Sequence, residues 1–383
     1  MPLHWKSTRN SLEINEMPFY WRLSETGKKT DGIEQRLPIR IEADQEFDYL
    51  KINFKGKEWS ILTAAYEQNA TIGFINEESG QLKTYGSSVN KFFLESVQRF
   101  NPKKTYEIGC GAGISIQHMA NHGWSVTGID PSEYSYLWSQ KLGFSLINDF
   151  FSDKLLDDQA DFIFCNDVFE HIPDILNFSS QVFNCLDDEG VFCIATTNST
   201  ESIMLGDVSM LEHQHVNMFT EKSIYQILYS AGFAEVEVSK GSYGNTFHII
   251  AKKTLGNKRI DKDPNEIEDL CFSFFDKVDR NLDYFGELYS SIENLNCYVP
   301  LRCMAYLSSV GDFGKTKIFE SNLSWKGKFF DGYSLPIQSP DEIDTHQNAK
   351  FFIGSITFYK EIKRILVNKG VDESAIFSVL DIS

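Results

Sequence analysis

Between Lys104 and about Lys253 the chain alternates short apolar runs with longer amphipathic stretches. TYEIG, SVTGID, ADFIFCN, GVFCIATT, AEVEVSK and FHIIAKK read as strands, and the intervening segments carry helical spacing. Strands alternating with helices predict an α/β sheet covered on both faces. A short loop separates the last two runs, which predicts a hairpin with an antiparallel edge strand. Upstream, LPIRIEADQEFDYLKINF alternates in part and VNKFFLESVQRF has the spacing of a helix. Downstream, the polar stretch TLGNKRIDKDPNE reads as a linker. Ile267, Leu270, Phe274, Val278, Leu282, Phe285, Leu288, Ile292 and Leu295 then recur at steps of three and four, the stripe of one long helix packed into a core. NCYVP, KTKIFES, FFIGSI and the helical FYKEIKRILVNKG complete a second, smaller α/β unit. The predicted order is an N-terminal lobe over residues 1–100, a doubly wound, Rossmann-like α/β domain over 101–255, and a linker helix with a C-terminal α/β domain over 256–383.

Composition narrows the function. With 383 residues, 42% of them hydrophobic, the chain can bury the cores of two or three domains. Its net charge of -18 opposes a polyanionic partner, and no basic cluster offsets it, so nucleic acid is excluded as a target. No window approaches the roughly 18 apolar residues of a membrane span, and the start lacks a signal-peptide core. These features predict a cytoplasmic location without membrane insertion. Seven cysteines without a C-x-x-C pair, most of them in apolar runs, read as reduced core residues rather than a disulfide frame or zinc site.

The densest chemical signal is EIGCGAG followed by GID. Gly109, Gly111 and Gly113 follow a strand ending at Ile108 and precede a helix from Ile114 to Asn121. A backbone free of Cβ atoms lets a ligand come close there, with Cys110 inside the same loop. A pyrophosphate loop calls for G-x-G-x-x-G, but position 114 is Ile114, and Glu107 in the strand repels phosphate while attracting a cationic group. Asp130, at the next strand end, suits two ribose hydroxyls.

EIGCGAG, GID, NDFF and FIFCNDVFEHI, in that order and spacing, resemble the class I S-adenosylmethionine-dependent methyltransferases. The resemblance implies S-adenosylmethionine as cofactor. Glu107 and the Gly109 to Gly113 loop would hold its methionine end and Asp130 its ribose. Asp149 with the backbone of Phe150 would face the adenine, and Asn166 would lie near the methionine moiety. Asp149 reads equally as a helix N-cap, Phe150 and Phe151 as core, and His171 as a residue that organises its loop.

The acceptor side is read from MLEHQHVNMFTEKSI, where Glu212, His213 and His215 cluster. Imidazole titrates near neutrality and a carboxylate can orient it, so His215 with Glu212 is the candidate base and His213 a substrate contact. Thr220 reads as the cap of the helix that follows, which leaves His215 open as a loop anchor instead. HVNMFT and the C-terminal KGKFFDGYSLPIQSPDEI resemble the sugar C-methyltransferases, which implies a sugar or nucleotide-sugar acceptor, methylated on carbon or oxygen. Tyr66 and Tyr85 fall where such enzymes carry substrate-facing tyrosines, and read otherwise as packing. Gln214 and Glu212 depart from that family's glutamate and tyrosine, no cysteine precedes Cys110 to form its zinc module, and VPLRCM replaces a glycine turn, so a second nucleotide cofactor is not expected. No clustered carboxylate motif calls for a metal ion. Another small metabolite as acceptor, a catalytically degenerate scaffold role and a homodimeric assembly stay open.

Overall fold

The computed structural model describes residues 4–19, 23–24, 36–67, 80–241, 245–254, 264–312, 314–330, 333–344 and 349–382. Most of the predicted linker, and the side chains of Ile267 and Leu270, lie outside the described residues.

In chain order, β1 (Trp5–Thr8), β2 (Ser11–Pro18), β3 (Leu23–Ser24), β4 (Arg36–Asp44) and β5 (Tyr49–Ile52) precede helices α1 (Glu58–Glu67) and α2 (Gly80–Phe100). The central unit follows as β6 (Thr105–Ile108), α3 (Ile114–Ala120), β7 (Thr127–Ile129), α4 (Glu133–Leu142), β8 (Leu146–Ile147) and β9 (Ala160–Asn166). It continues through α5 (Ile175–Cys185), β10 (Leu186–Thr197), α6 (Thr200–Leu205), β11 (Asn217–Met218), α7 (Glu221–Ala231), β12 (Glu235–Lys240) and β13 (Thr246–Lys252). The remainder comprises α8 (Pro264–Ser291), β14 (Leu295–Tyr298), α9 (Pro300–Ser309), β15 (Ile318–Phe319), β16 (Phe329–Phe330), β17 (Lys350–Ile353), α10 (Tyr359–Asn368) and β18 (Ile376–Phe377).

The central strands form a seven-stranded sheet in the order β12-β13-β10-β9-β6-β7-β8. Residues alternate faces along a strand, so β9 sends Phe162 and Phe164 into a core shared with Phe93 of α2 and Met119 of α3. Ile163 and Cys165 point the other way, into a core with Phe178 of α5 and Ile227 of α7. Double coverage explains why these runs are apolar throughout rather than alternating. The predicted hairpin is present but differently oriented. β13 is antiparallel to both β10 and β12, so the reversed strand is the inner one and the edge strand β12 runs with the rest. The six described cysteines are buried free thiols.

The flanking elements are more interwoven than the predicted boundaries. α2 packs on the central sheet, so the division expected at residue 100 falls inside one core. β11 leaves the central segment to extend the N-terminal sheet β1-β2-β4-β5-β11, and β3 pairs with β16. A continuous core joins Ile39 and Ile41 of β4 with Phe274 and Leu282 of α8 and with Tyr306 of α9. The stripe forms α8 as far as Leu288, but Ile292 lies just past its end and Leu295 belongs to β14, an inner strand of the parallel sheet β15-β14-β17-β18. No helix among the described residues is long and apolar enough to cross a membrane.

Thr220 caps α7 as the sequence suggests: its side chain accepts from the Ser223 amide at 3.1 Å, and Ser223 Oγ accepts from the Thr220 amide at 2.9 Å. Thr220→Ala should cost about 1 kcal/mol. The check is the midpoint of chemical denaturation, which should fall at unchanged slope.

Candidate active site

The strand order reverses between β6 and β9, and in such sheets ligands sit beyond the carboxyl ends of the strands at the reversal. A cavity of about 580 Å3 opens there, a size suited to a small organic ligand. It reaches from the β6–α3 turn to Arg302 and Phe358 of the C-terminal unit.

Glu107 stands at the buried end of β6, with 4% of its surface exposed. Ser115 of α3 hydrogen-bonds the carboxyl, yet its Oε2 has no hydrogen-bond partner. Burial, against the Ser115 hydrogen bond and reinforced by the nearby Asp130, holds its pKa well above the usual carboxylate range. An unpaired buried carboxylate oxygen costs free energy that a cationic or hydrogen-bond-donating ligand would recover.

The glycines divide their work. All three have positive φ: 69° at Gly109, 50° at Gly111 and 71° at Gly113. A Cβ on Gly109 would lie 2.4 Å from Val168 Cγ2, whereas at Gly111 it would meet nothing within 4 Å. Gly111 therefore leaves an open cradle against the cavity, and Gly109 serves close packing of the loop. Gly113 corrects the expectation of a ligand contact. It is absent from the cavity wall, and a Cβ there would strike the Phe144 ring at 2.4 Å. Cys110 lines the cavity, but its thiol is turned toward Gly128 of β7, so its contribution is backbone.

Asp130 follows β7. Its Oδ2 accepts from the Gly111 amide at 3.0 Å, and its Oδ1 accepts from Ser132 through the amide at 2.9 Å and the hydroxyl at 2.6 Å. A carboxylate has about four lone-pair sites, so acceptor capacity remains for a ligand hydroxyl. Asp149 and Phe150 also line the cavity, with Asp149 Oδ1 accepting from the Phe150 amide at 2.7 Å. No helix follows Asp149, so the N-cap alternative is overturned.

The carboxyl end of β9 holds a denser cluster. Asn166 is buried and lines the cavity. Next to it Asp167, in the left-handed region at φ 50°, accepts from the Tyr85 hydroxyl at 2.6 Å and from Asn166 Nδ2 at 3.0 Å. Glu170 is fully buried: Oε2 accepts from the Thr196 hydroxyl at 2.8 Å, and Oε1 has no partner. Burial foremost, with neighbouring carboxylates adding, pushes both Asp167 and Glu170 up to about 7. Neither was singled out from sequence. The available signal was charge placed directly after an apolar strand, at the edge of a sheet where ligands bind.

Of the expected acceptor-side residues, His215, Glu212, Tyr66 and Tyr85 all border the cavity. His171 Nδ1 lies 2.7 Å from the Gln214 carbonyl, and its ring is 5.1 Å from that of His215 and 6.2 Å from that of Tyr66. Burial depresses both imidazoles, leaving them neutral. The Tyr66 hydroxyl is buried without a partner. Two expectations are corrected. His213 is no substrate contact: its Nε2 lies 3.1 Å from the Leu37 carbonyl in β4 and its ring meets Phe19 edge-on, because the chain turns between the two histidines and sends this one into the N-terminal sheet. Glu212 reaches Arg302 of α9 at 3.6 Å, an ion pair that ties the cavity wall to the C-terminal unit and replaces the expected Glu212–His215 couple. Glu170, His171 and His215 have ligand atoms within 4.8 Å of one another, an assembly of metal-ligating groups with no counterpart in a local motif.

Gly109→Ala should destabilise the chain more than Gly111→Ala. Both incur the left-handed backbone cost of roughly 1–2 kcal/mol, but only Gly109 adds a clash. Paired thermal melts check this, and equal losses would contradict the division of roles.

Residues 81–238 match the family model described as a methyltransferase domain. The chain is 33% identical over 110 residues to the ubiquinone biosynthesis O-methyltransferase of Actinobacillus pleuropneumoniae serotype 5b, covering 26% of this chain and 47% of that protein. It is 29% identical over 122 residues to the enzyme of the same name from Histophilus somni, covering 29% and 51%. The chain thus spans about half the length of these curated relatives. Among solved structures, the plantazolicin methyltransferase BpumL in complex with a monoazolic desmethylPZN analog and SAH aligns at 16% identity and TM-score 0.40, over 52% of this chain and 93% of its own. Magnesium protoporphyrin IX methyltransferase from Synechocystis PCC 6803 with bound SAH aligns at 16% identity and TM-score 0.39, over 51% and 99%.

Proposed function

We propose, for a chain whose residues 81–238 are a methyltransferase domain, that it transfers the methyl group of S-adenosylmethionine to a small-molecule acceptor. The observation that carries this reading is the unpartnered Oε2 of Glu107 beside the open cradle at Gly111. Glu107 would receive the positively charged methionine end, the Gly109–Gly111 backbone would flank it, and Asp130 would accept from a ribose hydroxyl. Asn166 would stand near the methionine end, and Asp149 with Phe150 would border the adenine. When bound, the cofactor supplies an electrophilic methyl group on a sulfonium.

The protein's part is positioning and proton handling. Holding an acceptor atom in line with the methyl group supplies much of the acceleration of a displacement, and residues of α1, α6 and α9 line the space where it would be held. His215 borders the cavity, where an acceptor hydroxyl or carbon acid could pass it a proton. Tyr66 offers its unpaired hydroxyl as an orienting donor.

The acceptor we infer is a sugar, nucleotide-linked or a surface-glycan precursor, methylated on oxygen or carbon. Its support is the HVNMFT segment and the C-terminal unit, whose Arg302 and Phe358 complete the cavity. The O-methyltransferase names of the curated relatives favour oxygen over carbon as the atom methylated.

The test combines labelled S-adenosylmethionine with a panel of sugars, nucleotide-sugars and phenolic acceptors, read by mass spectrometry. A labelled sugar formed by the native chain and reduced at least about 100-fold in His215→Ala is the expected outcome. Label on phenolic acceptors alone would overturn the sugar reading, and no stabilisation by S-adenosylhomocysteine in thermal melts would overturn the cofactor reading.

A further inference from the structure

We propose that Glu170, His171 and His215 form a binding site for a divalent first-row transition ion on the acceptor side of the cavity. The three ligand atoms lie within 4.8 Å of one another. A shared ion at about 2.0–2.2 Å from each would hold them about 3.3–3.6 Å apart in a tetrahedral arrangement, so binding draws the set closer together than its present spread. The set has two imidazoles and one carboxylate, which favours zinc, cobalt, manganese or iron over magnesium or calcium.

The surroundings are those of a ligand set held ready. Glu170 is fully buried, its Oε2 is fixed by the Thr196 hydroxyl at 2.8 Å, and its Oε1 has no partner. His171 Nδ1 lies 2.7 Å from the Gln214 carbonyl, which can only accept, so the proton resides on Nδ1 and the lone pair on Nε2. Fixing a ligating imidazole through its other nitrogen to a backbone carbonyl, and a ligating carboxylate through a hydroxyl, is how metal centres orient their ligands. Gln214 thus acts through its main chain. The cavity leaves further coordination positions open, so the ion would take an oxygen donor of the acceptor and make an acceptor hydroxyl more acidic. That chemical role rests on the methyl-transfer reading, and with the ion bound His215 is a ligand and the ion takes over from it as the group that acidifies the acceptor hydroxyl; the ion site itself does not depend on that reading.

The experiment uses the full chain, stripped with a chelator, dialysed and titrated with Co2+ while visible absorption is recorded. One Co2+ per chain is expected, with the strong absorption of a low-coordinate site, and Glu170→Gln and His215→Ala should each weaken binding at least about 10-fold. His118 and His122, with rings 4.8 Å apart on α3 and just beyond it, are the competing surface pair. His122→Ala should leave the titration unchanged. Absence of Co2+ binding, loss of it in His122→Ala, or native affinity in both ligand variants would overturn the proposal. If those variants fail to fold, X-ray absorption of the native Co2+ complex decides: two imidazole ligands are expected, and fewer would overturn it. The methyl donor is absent from this titration, so its result stands apart from that of the cofactor test.

Discussion

Carboxylate oxygens buried without partners are the constraint around which this molecule is arranged. Glu107 and Glu170 each present one such oxygen, at the carboxyl ends of neighbouring strands and on the wall of one cavity. In an isolated core each would be a net loss of stability, several kcal/mol when the group is charged. The fold accommodates them by fixing the other oxygen, through Ser115 and Thr196, and by letting the pKa values rise. The stability forgone is available again to whatever ligand supplies the missing partner.

The rest of the architecture builds the walls of that cavity. The doubly covered sheet supplies rigid strand ends, and the glycine loop brings backbone against the space without filling it. The C-terminal unit is joined to the N-terminal sheet through the shared core around α8. It closes the far side and reaches back through Arg302 to Glu212. Asp167 sits in a left-handed conformation near His171, held by Tyr85 from α2. That contact gives a reason for α2 to pack on the central sheet rather than on the N-terminal lobe.

What could be read in the sequence divides along the range of the interactions involved. The strands of the central sheet were legible because burial on both faces makes each an uninterrupted apolar run, and the convergence of Glu107, Gly109, Gly111 and Asp130 on one cavity was legible because two consecutive βα turns carry them. The inner position of β13 was not, since hairpin spacing says nothing of which partner lies on the other side. Gly113 was assigned to the ligand although its positive φ and the Phe144 ring explain it fully. His213 and His215 look equivalent as neighbours in a histidine-rich loop, and only the approach of β4 separates them. The grouping of Glu170 and His171 with His215 spans forty-odd residues and depends on the Gln214 carbonyl, so no local pattern announces it.

The central claim is that Glu107 receives the charged end of the methyl donor. Calorimetric titration of the native chain and Glu107→Gln with S-adenosylhomocysteine, and with methylthioadenosine, which lacks the amino-acid end, tests it most directly. The account predicts that the substitution weakens S-adenosylhomocysteine at least about 10-fold, the scale of a charge-assisted hydrogen bond, and leaves methylthioadenosine unchanged. Equal weakening of both ligands, or of neither, would contradict it.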